Sequence, residues 1–279
     1  MIDPDILNFY ELGLEQDRLK NPHRSIEYHR TMDILRRHLP PPPATVLDVG
    51  GGPGRYALAL AALGYQVHLI DPVPLHIEQA QASSEAVDHH LAGIMFGDAR
   101  HLDQPDACAD AVLLLGPLYH LTSVADRHRA WSEARRVLRP GGTVVAAGAS
   151  RYYTTWEMLS KGTLNLPGAQ EAVQQHIATG QHRNPGRDYQ RLWTTAYFHD
   201  PNELAGEAAA AGLTVRALLA VEGPAKLLPD LADRMREQAS TQQLMAAIRR
   251  LETEPSVLGL SSHVLVIADI TGGEQGAAQ

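Results

Sequence analysis

Val46-Leu47-Asp48-Val49-Gly50-Gly51-Gly52-Pro53-Gly54-Arg55-Tyr56-Ala57 is the stretch on which the reading of this chain turns. An apolar run of Val and Leu ends in a carboxylate and a glycine cluster, and an alanine-rich stretch over residues 55–63 follows with helical character. Glycines at a strand-to-helix turn let backbone approach a ligand closely, and a helix start presents free N–H groups. The next apolar run, YQVHLID, ends in Asp71, where a carboxylate can accept hydrogen bonds from the hydroxyls of a ribose. Strand, helix, strand is the βαβ unit of a parallel sheet, and its glycine turn reads as a nucleoside site.

Two nucleosides fit the loop. Gly52 to Ala57 satisfies the G-x-G-x-x-G/A pattern of dinucleotide binding, which would make the chain an NAD-dependent oxidoreductase. Asp48, in the arrangement D-x-G-x-G, adds negative charge beside the loop. That charge suits a cofactor carrying an ammonium group and repels a pyrophosphate. Asp48 can equally serve by orienting the loop through its amides.

The βαβ pattern continues outward from this unit. A helix is expected over residues 75–87 and a strand over 91–96, and the run AVLLLG from Ala111 is apolar on both faces, as befits a sheet centre. Ser123 and Asp126 have capping-box spacing ahead of a helix that buries Trp131, Ala134 and Leu138, and the helix stops at Pro140-Gly141-Gly142 before TVVAAGA. Residues 150–198 show no clean period and read as a functional insertion. A helix over 200–211, the strand LTVRALLAV, one helical stretch over 231–251 and the strand SHVLVIADI follow. Upstream, Ser25 precedes an amphipathic helix that ends at Pro40-Pro41-Pro42-Pro43, a stiff spacer. The expected fold is α/β, a doubly wound, mostly parallel Rossmann-like sheet. Its parts are an N-terminal helical cap (1–43), an α/β core (44–149), a lid or substrate insertion (150–199), the rest of the core (200–271) and a frayed tail (272–279).

From residue 46 to 142 the chain resembles the class I S-adenosylmethionine (SAM)-dependent methyltransferases, with four motifs in consistent order. VLDVGGGPG (46–54) is similar to that family's glycine motif and LIDP (69–72) to its acidic second strand end. GDAR (97–100) resembles its third-strand motif, and LRPGG (138–142) its signature before the fifth strand. The resemblance implies that Gly50, Gly52 and Gly54 surround the methionine portion of SAM and that Asp71 holds the ribose. It further implies that Asp98 and the Ala99 amide read the adenine, while Leu115 and Gly116 line the side facing the methyl acceptor. The product would be S-adenosylhomocysteine.

A sulfonium carries a good leaving group, so the protein must chiefly align an acceptor and exclude water. Tyr119 and His120, after the fourth strand, are the candidate catalytic residues. His120 has an ordinary pKa near 6.5, which suits a general base, although it can instead fix its turn. Tyr10, Tyr28 and Arg30 in the cap, and Trp193, Tyr197 and His199 in or beside the insertion, are candidate substrate residues, with His182 and Arg183 nearby. Aromatic rings with polar tips can wall an organic substrate, or anchor the cap to the core.

Gly116-Pro117-Leu118-Tyr119 stands where amino-group nucleic-acid methyltransferases carry Asn/Asp-Pro-Pro-aromatic, and Gly116 has no side chain to orient an exocyclic amine. The formal charge of −8 over 279 residues likewise disfavours a nucleic-acid partner or an anionic membrane. No carboxylates follow Leu115 closely, so no metal is expected. With one cysteine, no basic leader and no long apolar run, the chain is expected to be cytoplasmic. The expected acceptor is a small metabolite or natural product, methylated on N or O by a monomer or homodimer. An RNA methyltransferase is the alternative within enzymes, and a methyltransferase-fold protein that binds SAM without turnover is the alternative outside them.

Overall fold

Short apolar runs become the strands of one sheet in the computed structural model, which describes residues 3–183 and 193–270. Strands β1 (Thr45–Val49), β2 (Gln66–Asp71), β3 (Gly93–Phe96), β4 (Ala109–Leu114) and β5 (Leu138–Ala149) pair in parallel. The insertion contributes β6 (Gln181–His182) and β7 (Ala196–Tyr197), a small separate antiparallel pair. Strand β8 (Thr214–Ala220) and strand β9 (His263–Asp269) complete the main sheet, whose order is β3-β2-β1-β4-β5-β9-β8. Strand β9 runs antiparallel to both of its neighbours. Because β1 sits between β2 and β4, chain connections leave it in opposite directions, and the crevice beyond the carboxyl ends of β1 and β4 is the topological switch point.

The helices are α1 (Pro4–Tyr10), α2 (Pro22–His38), α3 (Arg55–Ala61), α4 (Pro74–Glu85), α5 (Val124–Val137), α6 (Tyr153–Ser160), α7 (Ala169–Thr179), α8 (Pro201–Ala210), α9 (Leu231–Arg234), α10 (Gln238–Leu251) and α11 (Pro255–Leu258). Alternation along the strands sends side chains to two apolar layers. On one face Leu47, Val112, Leu114 and Val144 pack against Trp131 and Ala134 of α5 and Leu204 of α8. On the other, Val46, Val67 and Val145 meet Ile34 and Leu35 of α2, Leu60 of α3 and Ala80 of α4.

That second layer corrects the expected boundary at residue 43. The four prolines do end α2, but Ile34, Leu35 and Leu39 belong to the same apolar cluster as the sheet, so α2 is one of the helices of the α/β core. Only the segment before it, with α1, stands off the sheet. The single helix expected over 231–251 is two, because Glu237 caps a new start by accepting from the Ala239 and Ser240 amides. Ser123 does precede α5, but its side chain makes no cap bond, and Asp126 pairs instead with Arg100 and Arg129. The insertion holds α6, α7, β6 and β7; its residues 184–192, and the expected frayed tail at 272–279, lie outside the described residues. No helix among the described residues is long and apolar enough to cross a membrane.

Candidate active site

The glycine turn after β1 and the turn after β4 meet at the switch point. Gly50 has φ of 72°, and a Cβ on it would lie 2.8 Å from Pro117 Cδ, so a side chain there would part the two turns. A Cβ on Gly51 would come 2.7 Å from Asp48 Oδ2. The loop can therefore fold down over Asp48 only because it lacks side chains. Asp48 is 1% exposed, and among the described residues neither of its carboxylate oxygens has a well-formed hydrogen bond, the Ala57 amide acting on it only weakly. Burial, reinforced by nearby Asp71, pushes it up to about 7. A buried carboxylate so weakly bonded is costly, and it suits a ligand that brings a cation.

Asp71 ends β2 and ties three chain segments together. Its Oδ2 accepts from the Gly52 amide at 2.8 Å, and its Oδ1 accepts from the Val73 amide at 2.9 Å and from His76 Nδ1 at 3.0 Å. Beyond β3, Asp98 accepts from Arg100 through the backbone amide, Nε and Nη2, and Arg100 also reaches Asp126 at 2.9 Å. Arg100 outweighs the burial of Asp98 and holds its carboxyl below the usual range.

The N-terminal segment roofs this crevice, leaving a cavity of about 530 Å³ between them. Tyr10, at the end of α1, stands edge-on to His76 at 5.0 Å and to His120 at 5.3 Å between ring centroids, and its hydroxyl lies 2.6 Å from His120 Nε2. Arg18 latches the roof to the core, reaching Glu27 of α2 through two 2.9 Å bonds and Glu15 at 2.7 Å. Burial works against the charged form of Glu27, yet Arg18, His263 and Lys226 together hold it at about 2. Glu27, Glu222 and His263 bring ligand atoms close enough to hold a metal ion. Lys226 already lies 2.8 Å from Glu222 and 3.7 Å from Glu27, and Arg18 neutralises the other side.

Residues 47–146 match the family model described as a methyltransferase domain. That stretch, which runs from β1 into β5, is a methyltransferase domain. A ubiquinone/menaquinone biosynthesis C-methyltransferase of Acidiphilium cryptum is 32% identical over 145 residues, covering 47% of this chain and 56% of that protein. A ubiquinone biosynthesis O-methyltransferase of Methylocella silvestris is 33% identical over 175 residues, 61% of this chain and 57% of that one. The chain thus spans a little over half the length of these relatives. A SAM-dependent methyltransferase structure from Methanosarcina mazei superposes with a TM-score of 0.57 at 17% identity, over 85% of this chain and 97% of that one, a likeness of fold.

Within the methyltransferase core, the cavity is lined by Asp48, Gly50, Gly52, Asp71, Asp98 and Ala99 on the cofactor side. Leu115, Gly116, Tyr119, His120 and Tyr10 line it on the other side. Gly54 is not among the lining residues; with φ of 87° it starts α3 against Leu69. His120 departs from its expected chemistry, since burial pulls it down to about 4, only partly offset by Thr195 and Asp71.

The other expected substrate residues sit elsewhere in the structure. Arg30 is fully buried between Glu252, Asp33 and the Val221 carbonyl. Tyr197 lies under the Arg127 guanidinium at 3.6 Å and donates to Glu203, and His199 is fully buried beside Glu207 at 3.6 Å. Trp193 packs on His176, His182 and Phe198 in the insertion, where the two imidazoles bond to each other at 2.8 Å. Arg183 is exposed and does not line the cavity. Tyr28 stacks on Tyr56 at 5.6 Å and lies under Arg55 at 4.4 Å, so it backs the wall that those two residues form.

The lining residues that sequence reasoning missed are chiefly Glu15, Arg18, His76, Arg55 and Tyr56. Arg55 and Tyr56 adjoin the glycine loop, and His76 stands in the first turn of the helix after Asp71, so proximity to motifs was an available signal. Glu15 and Arg18 lie in a segment without periodicity, and nothing in the sequence marked them.

Proposed function

We propose that this chain transfers a methyl group from SAM to a nitrogen or oxygen of a small organic acceptor. The observation that carries the reading is the roofed cavity: about 530 Å³, within the range of small-ligand pockets, floored by the glycine turn and closed by the chain's own N-terminal segment. The floor fits the cofactor in chemistry. Asp48, buried and only weakly bonded, suits the ammonium of the methionine portion, Gly50 and Gly51 leave room where a Cβ would collide, and Asp71, Asp98 and Ala99 suit ribose and adenine. Bound there, SAM supplies an electrophilic methyl whose thioether leaving group needs no protonation.

The chain's residues then have three tasks. Tyr10, Tyr56 and Tyr119 exclude water from the acceptor side with ring faces and edges. Arg18 keeps the roof closed through Glu15 and Glu27. His120 takes a proton from an O–H or N–H acceptor through Tyr10: the acceptor's proton passes to the Tyr10 oxygen as the Tyr10 proton passes to His120 Nε2. A neutral amine acceptor needs no such step.

Support for a small acceptor comes from the roofed cavity, the net charge of −8, and relatives named for ubiquinone and menaquinone biosynthesis. The test is incubation with isotope-labelled SAM and fractionated metabolites, followed by mass spectrometry for a species that gains one CH₂. Label in a metabolite supports the reading. Label in RNA instead, or binding of SAM with no transfer to any fraction, overturns the choice of acceptor or of turnover.

A further inference from the structure

Asp71 is almost fully occupied by its own chain. A carboxylate offers about four lone-pair positions, two on each oxygen. The Val73 amide and His76 Nδ1 take both positions on Oδ1, and the Gly52 amide takes one on Oδ2. One position is left, whereas the two neighbouring hydroxyls of a ribose bring two protons. A second acceptor is therefore required within reach of Asp71.

Among the described residues bonded to Asp71, His76 supplies a further side-chain acceptor atom. With Nδ1–H donated to the carboxylate, the neutral imidazole keeps a lone pair on Nε2. Nε2 is buried and has no hydrogen-bond partner among the described residues. The ring is 3% exposed, forms part of the cavity wall, and is fixed on one side by Asp71 and on another by the Tyr10 ring edge. Buried polar atoms are nearly always paired, and an orphan on the wall of a ligand cavity marks a contact that the ligand completes.

We propose that His76 is a ribose ligand of this methyltransferase, its Nε2 accepting one hydroxyl while Asp71 Oδ2 accepts the other. The proposal rests on the SAM reading above. It makes His76 a specificity-determining residue, because the imidazole rewards only a nucleoside that carries the hydroxyl Nε2 accepts.

The test is calorimetric titration of the full chain, His76→Phe and His76→Gln with S-adenosylhomocysteine and with its 2′-deoxy and 3′-deoxy analogues. Each variant is first checked for an unchanged circular-dichroism spectrum. For the parent nucleoside, His76→Phe weakens binding roughly 5- to 10-fold, the effect of one neutral hydrogen bond. For one of the two deoxy analogues it changes nothing, since the hydroxyl that Nε2 accepts is already gone. Glutamine, whose side-chain oxygen also accepts, recovers part of the loss. Equal losses across all three nucleosides would mean that His76 only shapes the wall, and unchanged affinities would remove it from the site; either result overturns the proposal while leaving the SAM reading intact. Failure of the unmodified protein to bind S-adenosylhomocysteine would overturn both.

Discussion

The hydroxyl of Tyr10 and Nε2 of His120 lie 2.6 Å apart, joining the N-terminal roof to the turn after β4 across the candidate active site. Burial keeps His120 at about 4, so it is neutral at pH 7 and accepts from the phenol. Tyr10 in turn is raised well above its ordinary value, by burial first and then by Glu15. The roof and the proposed proton path therefore share one contact.

For an acceptor that must lose a proton, His120→Gln lowers turnover by roughly 100-fold or more, while affinity for S-adenosylhomocysteine changes little. Since His120 titrates near 4, activity should stay level from pH 6 to 9 and fall only toward pH 4, not near 6.5. Tyr10→Phe breaks the same path and should lower turnover comparably. Steady-state kinetics on both variants across pH check this; full turnover in His120→Gln would show that alignment alone suffices.

Arg30 belongs to the architecture, and its substitution should show it. The guanidinium is fully buried and bonded to Glu252 at 2.5 Å and Asp33 at 2.6 Å, joining α2 to the C-terminal helices. Removing the buried cation strips one charge-assisted hydrogen bond each from Glu252, which keeps Arg37, and from Asp33, which keeps Arg249, at a cost of about 1.5–3 kcal/mol. Arg30→Met should therefore lose stability on that scale in urea denaturation, with cofactor affinity unaltered at temperatures where the variant is folded. A large loss of affinity in a folded variant would return Arg30 to the site.

Periodicity made the sheet legible and left the roof illegible. The runs at β1, β2, β4 and β9 are apolar because those strands are covered on both faces, and that pattern survives in the sequence whatever the tertiary detail. Glycine spacing located the floor for the same kind of reason: Gly50 has a backbone angle and a close neighbour that few other residues tolerate. Side-chain direction is another matter. Tyr10 and Tyr197 are both tyrosines near charged residues, yet one lines the cavity and the other lies beneath Arg127 and bonds to Glu203. Arg30 and His199 are likewise indistinguishable by type from ligand-binding residues until the fold supplies their partners, Glu252 from far along the chain and Glu207 from the helix that follows His199.

Asp71 has two duties that one substitution should separate from those of its neighbours. Asp71→Ala leaves the Gly52 and Val73 amides and His76 Nδ1 without an acceptor, at a cost of about 1–3 kcal/mol for a buried group. It also removes a charge-assisted contact to the ribose, which should weaken S-adenosylhomocysteine roughly 10- to 150-fold. Denaturation and calorimetry on the same preparation read the two effects. Lower stability with unchanged affinity would confine Asp71 to holding the loop.

Asp48 gives the site a pH dependence of definite sign. Burial and Asp71 raise it to about 7 in the ligand-free protein, well above its ordinary value near 3.8. A carboxyl raised in the folded state contributes stability that is fully present below the unfolded pKa and is lost as pH rises through the folded one. Ligand-free Asp48→Asn should therefore melt at a higher temperature than the parent at pH 8, where the parent buries a charge, and close to it at pH 5, where the parent is neutral. An ammonium beside the carboxylate reverses the preference and pulls Asp48 back down. Binding of S-adenosylhomocysteine at pH 6 should then release a fraction of a proton approaching one, measurable by calorimetry in buffers of different ionisation enthalpy. The release should vanish by about pH 8, where Asp48 is already ionised in the free protein. Affinity should rise with pH up to about 7 and level off, and Asp48→Asn should abolish both the release and the rise. Binding with no proton exchange at pH 6 would mean that Asp48 does not meet the ammonium and serves the loop alone.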